Sequence, residues 1–305
     1  MPKGMREWFE YAAVLAILKF LGLLPRTASR TVAAALARLL LLCFPRLRRA
    51  AMTNLRLAFP DLTDAQRRAA IRRMSQNLGW MAAEFAHLPK LTTENIREVV
   101  AREGFENFEA ARLRGNGVIF LTGHMSAWEL APFAQALYGQ PLSFLARAIE
   151  NERVDALVNR YRCLSGNRPI EKNNSARAML RVLRDGGTVG ILADQNTSVD
   201  EGVFVDFFGI PACATTGLAR LARHTGAAVV PGFLFWDNAA RKYILKFEPP
   251  LSLQHTEDEE ADIRKNTARC AKVIENYIRA HPDQWLWVHK RWKNRPPGEP
   301  SLYRE

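Results

Sequence analysis

Cysteine is scarce: four residues in 305, at positions 43, 163, 213 and 270, with no C-x-x-C pair and no zinc-like spacing. That argues against a disulfide framework and a thiolate-based structural metal site, and it fits a reducing compartment. No G-x-G-x-x-G, P-loop or G-x-S-x-G pattern occurs, so a dinucleotide cradle, a phosphate loop and a hydrolase nucleophile elbow are set aside. Gly115 to Gly117 and Gly186-Gly187 read instead as turns that enter strands. Repeats with periods of 20 to 50 residues and low-complexity stretches are also missing, which sets repeat architectures aside. Acid is the sparse charge. Against 43 Lys and Arg stand 31 Asp and Glu, a formal net charge of +12 that selects anionic partners such as phosphates, nucleic acid or an anionic lipid surface. With 48% hydrophobic and 24% charged residues, the chain has enough apolar material for a full core and a deep cleft.

The charge is unevenly spread. Residues 1 to 100 hold 16 Lys and Arg against 7 Asp and Glu, and so carry +9 of the +12. The same third holds the two greasiest runs: Tyr11 to Leu24, broken by Lys19, and Thr31 to Phe44, broken by Arg38. Each is shorter than the roughly 20 apolar residues of a bilayer span and has a cation near its middle. The expectation is a pair of short helices forming a hairpin that lies on or dips into a membrane. The basic cluster Arg46, Arg48 and Arg49 favours anionic headgroups beside it. Two alternatives stay open: ordinary core helices, and a cleaved signal peptide, which lacks a small-x-small site before Pro25. The resulting organisation is a membrane-associating helical segment over 1–50 and an α/β domain over 51–305.

From Asp61 the pattern changes. Thr63 or Asp64 caps a helix running to about His87 with arginines 67, 68, 72 and 73 outward. Strands are then expected at Val118 to Thr122, Leu142 to Ala146, Val189 to Ala193, Val203 to Phe208, Ala228 to Trp236 and Tyr243 to Phe247. Helices are expected near 127–138, 151–164, 175–185, 214–225 and 257–281, and the alternation predicts a central, mostly parallel sheet flanked by helices.

In an open α/β sheet, chemistry gathers beyond the carboxyl ends of the strands. Three apolar strands end on reactive groups: one runs into Gly123-His124, one into Arg147, one into Asp194-Gln195-Asn196. His124 in a tight turn suits a general base for a hydroxyl, and Glu129, five residues on, suits its orienting partner. Ser126 with Glu129 also makes a capping box, a purely structural reading of the same residues. Arg147 suits a phosphate, with Arg160 and Arg162 on the following helix as helpers or a solvated face. Asp194 ends an apolar strand and needs a partner, either Arg147 or a ligand hydroxyl. Between Trp285 and Arg295, aromatic and basic residues interleave, Arg291 among them, as they do at nucleic-acid surfaces, membrane interfaces and phosphate rims.

With those segments in hand, the chain resembles the lipid A biosynthesis (lauroyl/myristoyl-type) acyltransferases, a branch of the lysophospholipid acyltransferase superfamily. The matching blocks are Asn54 to Pro60 (NLRLAFP), His124 to Glu129 (HMSAWE), Gly202 to Gly209 (GVFVDFFG) with Pro211-Ala212, Thr225 to Pro231 (TGAAVVP) and His281 to Lys293 (HPDQWLWVHKRWK). The F-P-E-G-x-R phosphate motif of the glycerolipid branch is replaced by Phe204 to Phe208 (FVDFF), which favours a lipid A or glycolipid acceptor over a lysophospholipid. The resemblance implies transfer of a fatty acyl group from an acyl carrier protein or coenzyme A thioester to a lipid hydroxyl, at the cytoplasmic face of a bacterial inner membrane. It implies His124 as base with Glu129 as partner, and anionic lipids as neighbours. Arg147, Arg162, Asp194, Gln195 and Arg291 are the candidate substrate-binding residues. No metal or redox cofactor and no nucleic acid is expected; the alternatives are a lysophospholipid or phosphoglycolipid acyltransferase and a non-catalytic membrane-surface lipid-binding protein on the same fold.

Overall fold

The computed structural model describes residues 3–145, 148–170 and 175–303. In chain order the helices and strands are α1 (Lys3–Leu23), α2 (Arg26–Cys43), α3 (Pro45–Ala58), α4 (Asp64–His87), α5 (Ile96–Val99), β1 (Val100–Glu103), α6 (Phe105–Arg112), β2 (Val118–Thr122), α7 (Leu130–Leu137), β3 (Ser143–Leu145), α8 (Glu152–Cys163), β4 (Arg168–Ile170), α9 (Ser175–Arg184), β5 (Thr188–Leu192), β6 (Gly202–Phe207), β7 (Ile210–Thr215), α10 (Gly217–Thr225), β8 (Ala228–Asp237), β9 (Lys242–Phe247) and α11 (Glu259–Ala280).

Seven of these strands form one sheet in the order β1-β9-β8-β2-β5-β3-β4. β8, β2, β5, β3 and β4 run parallel, and β9 runs antiparallel to β8. β2 is central, with Val118 to Leu121 buried on both faces. That explains its continuous apolar run, since an alternating pattern belongs to a strand with one wet face.

Two strand expectations need correction. Val203 to Phe208 does not join the parallel sheet; β6 pairs antiparallel with β7 in a separate hairpin packed on α11. Its two-residue turn, Phe208-Gly209, holds both residues at positive φ (59° and 79°), the geometry that matches strand twist. Residues 214–215, expected to begin a helix, finish β7, and α10 starts at Gly217. β1 and β4 were not foreseen: each is a short edge strand of three or four residues that carries no apolar run.

The two N-terminal helices form as expected, and each buries a few residues against the rest of the protein. Thr63 closes α4 with a full capping box to Gln66. Helix α2 crosses α4 so closely that a Cβ on Gly79 would lie 2.4 Å from the Ala34 Cα, so only glycine fits. Arg30 of α2 bonds Glu84 of α4 at 2.6 Å, and its guanidinium lies 4.6 Å from the Trp236 ring centre and 5.2 Å from that of Trp80. No single helix among the described residues is long and apolar enough to cross a membrane; α2 and α3 together pass that test but are bent by 93°. Large apolar side chains nonetheless stay exposed on α1 and α2, among them Phe9, Phe20, Leu23, Leu39 and Leu42.

Candidate active site

Adjacent parallel strands bring their following loops together. β2 and β5 pair with Thr122 opposite Leu192, and Ala193 N–H donates to the Thr122 carbonyl, which sets Gly123-His124 beside Asp194. A side chain at position 123 would press on this contact, because its Cβ would lie 3.2 Å from the Asp194 Cγ. His124 Nδ1 donates to Asp194 Oδ1 at 2.8 Å, and the His124 backbone N–H donates to Oδ2 at 2.9 Å. Trp285 Nε1 donates to the same Oδ2 at 2.7 Å. Burial opposes the charge on Asp194, but His124 and these donors outweigh it and hold the carboxyl far below the usual range. Burial likewise opposes the imidazolium of His124, yet the Asp194 charge and hydrogen bond, with a smaller contribution from Glu129, raise its pKa above the ordinary value.

Asp194 therefore fixes the tautomer: Nδ1 carries the proton and Nε2 keeps its lone pair. The side-chain amide of Gln195 lies 3.3 Å from Nε2, and the Trp128 ring meets the imidazole edge-on with centres 5.3 Å apart.

This corrects the expected pairing of His124 with Glu129. Glu129 gives both oxygens to Arg162, at 2.8 and 2.5 Å, in a bidentate ion pair within the same cavity wall. A guanidinium offering two parallel donors outcompetes a single imidazole N–H for one carboxylate. Nor do Ser126 and Glu129 form a capping box, because Ser126 sits at φ 50° and α7 begins only at Leu130, without a side-chain cap. Ser126 is held there by its N–H, which donates to the Gln284 carbonyl at 2.7 Å. Arg147 lies outside the described residues.

Arg291 is a second correction. It is fully buried, donates to the carbonyls of Cys213 and Gln195, and stacks on Phe207 at 4.8 Å. Burial pulls its pKa down to about 10. It braces the loop after β5 from below and has no face left for substrate. The same holds for Trp285, Trp287 and Trp292, all essentially inaccessible, which excludes them from a membrane rim or stacking platform. The segment that carries them is irregular and is clamped from α3: Asn54 donates to the carbonyls of Trp287 and His289, and Tyr303 Oη donates to Asn54 Oδ1. Trp285 is the residue that sequence reasoning missed. The spacing of aromatics and cations reads as a surface, and only the contact with Asp194 reveals an orienting role.

His124, Glu129, Arg162 and Gln195 line one cavity of about 400 Å³, whose remaining wall is largely apolar: Trp128, Pro132, Phe133, Phe144, Leu145, Ile191 and Leu192, with Asn167. Its size and its few convergent polar groups are those of a small-molecule site. An imidazole whose Nε2 keeps its lone pair, set in a largely apolar wall, suits deprotonation of a hydroxyl beside a hydrocarbon chain. Among the described residues no group of three or more His, Cys, Asp or Glu could hold a metal ion.

A family model described as bacterial lipid A biosynthesis acyltransferase matches residues 3–294. The chain is 28% identical over 257 residues to the lipid A biosynthesis myristoyltransferase of Escherichia coli strain K12, covering 84% of this chain and 78% of that protein. It is 29% identical over 254 residues to the palmitoleoyltransferase of the same organism, at 83% and 81% coverage. With the lauroyltransferase it shares 26% identity over 299 residues, 98% of this chain and 95% of that protein.

Proposed function

This chain belongs to the bacterial lipid A biosynthesis acyltransferases and is an acyltransferase, and from that premise we propose that it moves a fatty acyl group from a carrier thioester to a hydroxyl of a lipid A precursor, with His124 as base. The observation that carries this reading is the His124–Asp194 pair opening on an apolar-walled cavity. His124 Nε2 takes the proton of the acceptor hydroxyl as its oxygen attacks the thioester carbonyl. The Asp194 carboxylate stabilises the imidazolium that forms. The tetrahedral oxyanion collapses, the C–S bond breaks, and the imidazolium returns its proton to the departing thiolate. Gln195, whose amide already touches Nε2, is positioned to follow the reacting oxygens. The apolar wall receives the acyl chain. The Glu129–Arg162 pair orients the acceptor's polar groups, since the third guanidinium nitrogen has only a long 3.5 Å contact to Asn159.

Acyl carrier protein or coenzyme A supplies the thioester, and no further cofactor enters the reaction. Residues 1–50 carry the exposed apolar side chains that seat the α/β acyltransferase domain of 51–305 on anionic lipid at the cytoplasmic face of the bacterial inner membrane. The test incubates the purified protein with a radiolabelled acyl thioester and three acceptors: a lipid A precursor, a lysophospholipid and a phosphoglycolipid. Label on the lipid A precursor is the expected outcome, lost in His124→Ala while the protein keeps its circular dichroism; a fully active His124→Ala would sink the assignment.

A further inference from the structure

Away from the catalytic cavity, helices α2, α3 and α4 meet in an elbow with a cavity of about 590 Å³. Its floor is apolar, built from Leu41, Met52 and Ile71 with the exposed Leu42 at the edge, and its rim carries five arginines: Arg38, Arg48, Arg49, Arg68 and Arg72. No acid lines it, and none of the five forms an ion pair among the described residues, although neighbours such as Arg56, Arg67 and Arg73 do. At its base the Ser75 hydroxyl is buried and has no hydrogen-bond partner in the protein. A buried hydroxyl of this kind is costly unless a ligand satisfies it. Elsewhere on α2, at the bend and at the start of α3, Leu36, Leu39, Leu40, Phe44 and Leu47 are exposed, an apolar surface beside the elbow.

We propose that this elbow binds the phosphate-bearing headgroup of an anionic bilayer lipid. The unpaired guanidiniums supply forked donors for phosphate oxygens, Ser75 supplies a further donor below them, and the apolar floor takes the start of the acyl chains. The exposed leucines and Phe44 then enter the interface beside the bound lipid. An acidic protein would satisfy the arginines but would leave that apolar surface wet, so lipid is the better match. The site shares no lining residue with the catalytic cavity, and it stands whether or not His124 is the base.

The test measures flotation of the full chain with vesicles of phosphatidylethanolamine, with and without phosphatidylglycerol. The quantity read is the gain in affinity that phosphatidylglycerol confers, because apolar insertion alone acts on both vesicles. Arg68→Gln with Arg72→Gln should cut that gain by about tenfold or more, given the strength of single arginines at anionic surfaces. A control pair of equal charge loss, Arg112→Gln with Arg114→Gln at the exposed end of α6 and the turn after it, should keep it. Ser75→Ala should lower the gain a few-fold while thermal stability holds or rises, since it deletes an unsatisfied group. Equal loss in the elbow and control pairs overturns the site, as does an undiminished gain in the elbow pair. Loss of capture of an acidic acyl carrier protein with vesicle binding intact overturns it too. Because vesicle binding is the readout, failure here leaves the acyltransfer reading untouched.

Discussion

At the residue scale, two carboxylates raise the pKa of His124, and they do so unequally. Asp194 contacts the ring directly, whereas Glu129 acts only through its charge. A general base works when neutral, so activity falls as pH drops through the His124 pKa, and the raised pKa places that acidic limb above the ordinary imidazole range of about 6.5. Asp194→Asn removes the charge that raises the pKa. The limb of the kcat/KM profile should then move to lower pH, while the rate on the plateau drops by roughly 10²- to 10⁴-fold from loss of tautomer control. Glu129→Gln should shift the limb much less and act mainly on KM, through a loosened Arg162. A profile in which Glu129→Gln moves the limb more than Asp194→Asn would restore the pairing that H-x4-E spacing suggests. Trp285→Phe keeps an aromatic ring of smaller size and deletes the N–H on Asp194, so it should lower kcat with KM little changed, at some cost in thermal stability from the void it leaves.

At the element scale, the strands that carry the site were readable because each is an unbroken apolar run ending on a polar group, the pattern of a buried parallel strand. Thus His124, Asp194 and Gln195 were legible as one constellation. What escaped was the choice of partners, because Glu129 is five residues from His124 along the chain and Asp194 is 70 away, and only strand adjacency shows the second to be nearer. The irregular segment after α11 misled for a related reason. Its tryptophans and arginine have the composition of a surface, yet clamping by Asn54 and the carbonyls of Gln195 and Cys213 buries them. Arg291→Leu should therefore destabilise the protein by about 3 kcal/mol, because carbonyls and a packed guanidinium are lost together, with little change in KM for the variant that remains folded. Chemical denaturation set beside steady-state kinetics separates the two roles. Gly79→Ala attacks a different seam: its new methyl meets the α2 backbone and should cost about 1–3 kcal/mol in thermal unfolding.

At the scale of the whole molecule, the question is whether residues 1–50 are a detachable anchor or part of the fold. Sequence favours an anchor, since two greasy runs with interspersed cations precede a change of pattern at Asp61. Packing ties them inward. Leu18, Leu21 and Ala33 share a buried cluster with Phe85, Val118 and Phe120, so α1 and α2 reach the central strand's own core. Glu84 is almost wholly buried, and its two cationic partners, Arg26 and Arg30, both come from α2. Deleting residues 1–44 would strip that apolar cover and take both cations from Glu84, and the lost burial of Leu18 and Leu21 alone costs about 3–6 kcal/mol. That is a large share of a domain's stability of about 5–15 kcal/mol. The truncated chain should accordingly aggregate or lose its near-ultraviolet circular dichroism, even in detergent that replaces any bilayer contact. Adding Glu84→Gln to the truncation should recover little, because removal of α2 opens that carboxylate to water and the apolar exposure remains. A truncated protein that unfolds as cooperatively as the full chain would return these helices to the status of a separable membrane anchor.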